Sequence, residues 1–332
     1  MIDISVVVPI YNEEESVELL VDKLHTSLMA TGRTYEVVLV DDGSKDESWA
    51  KMMELSKRYP GLHLIRFRRN FGQTAAMSAG FNEARGDIII TMDADLQNDP
   101  SDIPLLLAEV DKGFDVVSGW RRNRKDTFIN RRLPSIMANA LISKITGVYL
   151  HDYGCTLKAY RKEIVQNIQL YGELHRFIPA LASWVGGSLS EVVVSHHPRR
   201  FGTSKYGIGR TVKVILDLVT VKFLLRYSTR PIHIFGKWGL NFGCLGLLML
   251  IFMAAANLSH RFFGTDICSE LIKRPFWVIT PFMLLFFGLQ FISIGLLAEI
   301  QIRTYHESQE KPIYVIRETV EPTDIPRGKA SA

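Results

Sequence analysis

The chain has 332 residues, 39 Lys and Arg against 35 Asp and Glu for a formal charge of +4, and 47% apolar residues. That length holds one soluble domain of ordinary size plus a smaller appendage, and scattered arginine with no aromatic stacking platform argues against a nucleic-acid partner. Cys155, Cys244 and Cys268 are too few and too widely spaced for a disulfide framework or a zinc site.

Five short β-branched runs, at 4–8, 36–40, 62–67, 88–92 and 115–118, alternate with stretches of helical periodicity. The apolar run at the N-terminus is very short, carries Asp3 and has no basic leader, so it reads as a strand and not as a secretory signal. The alternation predicts an α/β fold: a mostly parallel sheet with helices on both faces. Ligands of such sheets bind beyond the carboxyl ends of the strands. Pro9-Ile10-Tyr11-Asn12-Glu13-Glu14, Asp41-Asp42-Gly43-Ser44 and Asp93-Ala94-Asp95 all lie at those ends. Motifs far apart in sequence are therefore expected to meet.

Further along, Leu133, Ile136, Met137, Ala140, Leu141 and Ile145 fall at helical spacing, as do Val212, Ile215, Val219 and Phe223, with basic residues beside both sets. Each helix either packs on the core or lies on a bilayer surface. A catalytic domain is expected over 1–230, ending where Pro231 breaks a helix-like stretch. Residues 238–259 and 275–298 contain no Asp, Glu, Lys or Arg. Each is long enough to cross a hydrocarbon core of roughly 30 Å at about 1.5 Å per residue. A membrane domain over 231–300, with two transmembrane helices at about 236–258 and 275–298, is expected to precede a cytoplasmic tail over 301–332. Lys222, Arg226, Arg230 and Lys237 before the first span and Arg303 and Lys311 after the second favour the cytoplasm for both flanks, against Arg261, Lys273 and Arg274 in the connecting loop.

Asp93 and Asp95 straddle one residue at a strand end, so both carboxylates can face one ion. All-oxygen ligands suit Mg2+ or Mn2+, and a cation there neutralises charge developing on a departing diphosphate. The same spacing also occurs in a solvated acidic turn. Asp42 reads both as part of a strand-to-helix turn and as a hydrogen-bond acceptor for the base or ribose of a nucleotide.

With Arg69-Asn70-Phe71-Gly72-Gln73 and Asp93-Ala94-Asp95-Leu96-Gln97-Asn98-Asp99-Pro100 added, these motifs resemble glycosyltransferase family 2, in its polyprenyl-phosphate branch. The resemblance spans essentially the whole chain, and Glu310-Lys311-Pro312-Ile313-Tyr314 is similar to the tail of bacterial O-antigen glucosyltransferases. It implies a GT-A-like domain that uses a divalent metal and inverts the anomeric centre. Carried over residue by residue, it implies that Pro9, Tyr11, Glu13, Asp42, Asp93 and Gln97 bind the donor, that Asp93 and Asp95 hold the metal, and that Asp95 and Asp152 are catalytic. Arg131, Ser135, Arg200 and Lys205 match positions that bind the acceptor phosphate, and Arg122, in a basic cluster with Arg121 and Arg124, is a further candidate cation for it. Asp152 reads alternatively as a turn cap after Leu150.

A phosphate acceptor changes what Asp152 has to do. A phosphate monoester is largely ionised at neutral pH, its second pKa being about 6. Asp152 is then expected to position the nucleophile more than to activate it. The expected reaction is inverting transfer of one hexose, glucose from UDP-glucose by resemblance, to undecaprenyl phosphate at the cytoplasmic face of the inner membrane. Mannose or an amino sugar is the alternative. A processive polysaccharide synthase is disfavoured because the chain lacks a Gln-x-x-Arg-Trp segment and further spans, and an inactive membrane-tethered scaffold because both aspartates are present. The resemblance also implies a homo-oligomer and a downstream flippase for the lipid-linked sugar.

Overall fold

A computed structural model describes residues 2–122, 133–170, 172–198, 218–222 and 312–328, with isolated positions between 255 and 304. The chain divides into two compact units, one of Met1–Val221 with Pro312–Ala332 and one of Lys222–Lys311.

The first unit is built on an eight-stranded mixed sheet. In chain order its strands are β1 (Ile4–Ile10), β2 (Tyr35–Asp41), β3 (Leu62–Phe67), β4 (Ile88–Thr91), β5 (Val116–Trp120), β6 (Lys158–Arg161), β7 (Leu189–Val193) and β8 (Ile316–Val320). Their order across the sheet is β7-β5-β6-β4-β1-β2-β3-β8. The β4-β1-β2-β3 centre is parallel, as the alternation predicts, and its strands are buried along almost their whole length. The expectation of a mostly parallel sheet needs correcting at the flanks, where β6 runs antiparallel to β4 and β5 and β8 antiparallel to β3. Those additions are short or charged, Lys158-Ala159-Tyr160-Arg161 and Ile316-Arg317-Glu318-Thr319-Val320, and lack the apolar run that marks the centre.

Helices α1 (Val17–Met29), α2 (Ser48–Arg58), α3 (Gln73–Glu83) and α4 (Ile103–Asp111) cover the sheet. Along α1, Val17, Leu20, Val21, Leu24 and Leu28 form one buried stripe at helical spacing. The third helix carries small residues instead and packs closely on β1: a Cβ at Gly80 would lie 2.2 Å from a Val7 methyl. Next follow α5 (Leu133–Thr146), which matches the first predicted amphipathic segment, α6 (Lys162–Gln166) and α7 (Ile178–Trp184). Of the second amphipathic segment only 218–222 is described, and it is helical.

Residues 316–320, expected only as part of a tail, complete one edge of the sheet as β8. The predicted transmembrane helices lie almost wholly outside the described residues. Among the described residues no helix is long and apolar enough to cross a membrane.

Candidate active site

The crevice opens where the sheet's winding reverses. Strand β1 pairs with β4 only as far as Val7 opposite Thr91, but with β2 as far as Ile10 opposite Asp41. Pro9 has no N–H to carry a ladder further, and β1 and β4 part company at their carboxyl ends.

On the β1–β2 side two loops are stitched together. The Asn12 N–H donates to Ser44 Oγ (2.9 Å), the Lys45 N–H to Asn12 Oδ1 (2.9 Å) and the Glu13 N–H to Ser48 Oγ (2.9 Å). Asn12 takes a positive φ of 53°, which asparagine tolerates better than most residues. Gly43, with φ 70°, is required for steric reasons as well: a Cβ there would lie 2.5 Å from the Arg69 carbonyl carbon. Asp41 is buried, accepts from the Ser44 N–H (2.9 Å) and lies 3.3 Å from Arg66 Nε.

Asp42 is buried and clamps the loop that follows β3. Its carboxylate accepts from the Phe71 N–H (2.6 Å), the Gly72 N–H (2.9 Å) and Asn70 Nδ2 (2.9 Å). Burial pushes its pKa up to about 6, against the pull of those two backbone N–H groups. Tyr11 lines a cavity of about 480 Å³ with Gly43, Ser44, Lys45 and Asn70. Glu13 accepts from Ser16 Oγ (2.8 Å).

At the end of β4, Asp93 accepts from Gln73 Nε2 (2.8 Å), and Asp95 accepts from the Gln97 N–H (3.1 Å). Leu96 holds a left-handed φ of 57°, a conformation that costs a non-glycine residue about 1 kcal/mol and shapes this turn. The pKa of Asp93 is raised by burial first and by the charge of Asp95 second. Two carboxylates that resist sharing negative charge suit a divalent cation, which relieves the repulsion. Among the described residues no group of three or more His, Cys, Asp or Glu side chains is placed to hold a metal. A cation held by this pair would take its remaining oxygens from substrate and water.

Beyond the Asp93–Asp95 pair lies a buried ion pair. Arg121 Nε donates to Asp152 Oδ2 (2.7 Å) and Nη2 to Oδ1 (3.0 Å), and the Gly154 N–H also reaches Oδ1 (3.1 Å). Beneath it, Lys158 Nζ donates to the carbonyls of Tyr153 (3.2 Å) and Cys155, and burial lowers its pKa. Gln73 and Lys158 were not among the sequence-selected site residues, and Arg121 was read only as one member of a basic cluster. Arg122 was selected, yet it is exposed and stands 5.8 Å from the Trp120 ring, while its neighbour reaches Asp152. Nothing in the local sequence distinguishes the two arginines, because the choice depends on a partner 31 positions away. Arg131, Arg200, Lys205 and the side chain of Ser135 lie outside the described residues.

The family model described as glycosyl transferase family 2 matches residues 5–169. The chain is 44% identical over 328 residues to dodecaprenyl-phosphate galacturonate synthase of Rhizobium johnstonii, covering 96% of this chain and 93% of the relative. It is 38% identical over 319 residues to undecaprenyl-phosphate 4-deoxy-4-formamido-L-arabinose transferase of Proteus mirabilis, covering 96% and 94%. Among solved structures, glucosyl-3-phosphoglycerate synthase from Mycobacterium tuberculosis, in complex with Mn2+, UDP and phosphoglyceric acid, superposes with a TM-score of 0.53 at 16% identity, over 68% of this chain and 78% of that one. At that identity the likeness speaks for the GT-A-like fold alone.

Proposed function

This chain belongs to glycosyl transferase family 2 and is a glycosyltransferase, and we propose that it moves one sugar from a nucleotide diphosphate to a polyprenyl phosphate at a membrane surface. The observation that carries this reading is the placement of the Asp93–Asp95 pair and of Asp152, the carboxylate paired with Arg121, at one end of one sheet.

Donor binding falls to the stitched loops around Pro9, Tyr11, Glu13 and Asp42, with Gln97 beside the metal pair. Asp93 and Asp95 would hold Mg2+ or Mn2+, which when bound would neutralise charge on the leaving diphosphate. An acceptor phosphate oxygen forms the new bond to the anomeric carbon as the bond to the diphosphate oxygen breaks, and the electron pair leaves on the diphosphate. That nucleophile arrives largely ionised, so no side chain has to remove a proton. Asp152 engages Arg121 through both oxygens and acts by fixing that guanidinium, whose remaining N–H groups suit phosphate. Arg121 thus joins Arg122, Arg131, Ser135, Arg200 and Lys205 as a candidate for the acceptor phosphate.

The donor sugar is read from the relatives. The one at 44% identity is named for galacturonate and the one at 38% for a formamido-arabinose, so the expectation of glucose gives way to a nucleotide-linked hexuronate. The two charge-free stretches at 238–259 and 275–298 support a membrane-embedded middle segment. Residues 222–311 leave the first unit and return to it as 312–332, so any bilayer crossings between them are even in number. Two spans at about 236–258 and 275–298 satisfy that parity, and the basic residues flanking them support a catalytic unit on the cytoplasmic side.

The test is release of nucleoside diphosphate from a panel of nucleotide sugars by the full chain, with and without Mg2+ or Mn2+ and polyprenyl phosphate, beside Asp95→Ala. Turnover is expected from a nucleotide hexuronate and only with both metal and lipid. Lipid-independent turnover, or none with any donor, would sink the reading.

A further inference from the structure

The segment that re-enters the first unit after residue 311 does more than close the sheet. Tyr314 is buried and stacks on Phe67, with ring centroids 5.1 Å apart and planes at 13°, while its hydroxyl accepts from Asn82 Nδ2 of α3 (3.0 Å). Phe67 meets Phe71 edge-on at 5.7 Å and 88°. Phe71 in turn gives its N–H to Asp42. Three rings therefore connect the returning segment to the Asp42 clamp, and the Arg68 N–H to Val315 carbonyl bond (3.0 Å) ties the two backbones where the β3–β8 register shifts.

From β8 itself, Arg317 lines the same cavity of about 480 Å³ as Tyr11, Ser44, Lys45, Arg68 and Asn70. Arg66 is paired with Asp41, and Arg69 lies 4.1 Å from the Phe71 ring centre. Lys45, Arg68 and Arg317 have no carboxylate partner among the described residues. A lone exposed cation is ordinarily just solvated. Three converging on a cavity of nucleotide size, whose other wall is Tyr11, Ser44 and Asn70, select for an anion that also offers planar acceptors.

We propose that the returning C-terminal segment is part of the donor site, with Tyr314 as a positioning residue for the Asp42-clamped loop and Arg317 as a direct contact to the nucleoside diphosphate. This rests on the donor reading above and extends it to residues on the far side of the 222–311 segment.

The experiment is UDP binding by the full-length protein in detergent, by calorimetry with Mn2+, for wild type, Arg317→Ala, Arg317→Lys, Tyr314→Ala and Tyr314→Phe, with thermal unfolding and both KM values for each. Loss of one charge-assisted contact corresponds to a fall in affinity of about tenfold or more for Arg317→Ala at unchanged melting temperature, partly restored by Arg317→Lys. Tyr314→Ala is expected to raise the donor KM and leave the acceptor KM alone, and Tyr314→Phe, which keeps the stack, to stay near wild type. Wild-type affinity in Arg317→Ala, or equal KM changes for donor and acceptor in Tyr314→Ala, overturns the inference. Wild-type protein that binds no nucleoside diphosphate overturns the donor reading beneath it.

Discussion

The proposed donor and acceptor sides of this end of the sheet are held by different physics. On the donor side, neutral loop groups and carboxylates that accept backbone N–H bonds fix Asn12, Asp41 and Asp42 close to the strand ends that carry them. On the acceptor side, order depends on buried charge: Asp152 against Arg121, with Lys158 beneath. A turn built from many small bonds loses little when one is removed. A buried ion pair that loses one member strands the other in a medium that does not solvate it.

The largest effect expected from that contrast is on folding. Arg121→Ala leaves Asp152 buried without its counter-charge and removes a cation that also acts on Asp93. Breaking a buried pair this way costs about 3–5 kcal/mol, to be read as a drop in unfolding midpoint of the detergent-solubilised protein. A loss below about 1 kcal/mol would place the pair in effectively solvated surroundings and erase the distinction between the two sides.

Asp95→Ala tests the opposite side of the comparison. Turnover is expected to fall by about 10²–10³-fold, the scale of losing one preorganised electrostatic stabiliser. Stability is expected to hold or rise, because the variant relieves the repulsion that lifts the Asp93 pKa. A destabilised Asp95→Ala protein would mean that the pair serves the fold.

The same contrast explains what was legible in the sequence. Strands β1, β2 and β4 are largely apolar runs ending in short polar motifs, and β3 keeps Leu62, Leu64, Ile65 and Phe67 around His63 and Arg66, so the sheet centre and the convergence of those motifs at the strand ends were readable from local pattern. Strands β6 and β8 were not, since Lys158, Arg161, Arg317 and Glu318 interrupt any apolar alternation and their pairing is set by neighbours remote in the chain. Gln73 stood inside a recognised motif, but its bond to Asp93 becomes visible only when α3 is packed beside β4. Arg121 differs from Arg122 only in which one meets Asp152.

A chain ended after residue 311 probes the sheet edge on the donor side. It removes β8, Tyr314 and the Arg85–Glu321 ion pair together, and uncovers the edge of β3. Cross-strand pairs contribute roughly 0.2–1 kcal/mol each, so about 2 kcal/mol of stability is expected to go, with self-association through the bare edge. Size-exclusion profiles and unfolding midpoints measure both. A monodisperse, equally stable truncation would show that the returning strand is dispensable to the donor side.

The smallest expected effect separates charge from shape at the donor clamp. With its pKa at about 6, Asp42 takes up a proton as pH falls through that value, and a protonated carboxyl accepts less strongly from the Phe71 and Gly72 N–H groups. Donor KM should therefore rise a few-fold, about the worth of one weakened hydrogen bond, as pH drops below about 6. Stability moves in the other direction. The folded state holds this proton more tightly than an unfolded aspartate does, so Asp42's contribution to stability is larger at acid pH and is lost as pH rises through about 6. Asp42→Asn carries no titration and should show a raised donor KM that is flatter with pH. Subtracting its profile from the wild-type one cancels ionisation of the acceptor phosphate and of Asp93, which both proteins share. Parallel profiles would mean that Asp42 stays ionised across this range, its N–H donors outweighing burial, and that the clamp is as insensitive to pH as the neutral turns around it.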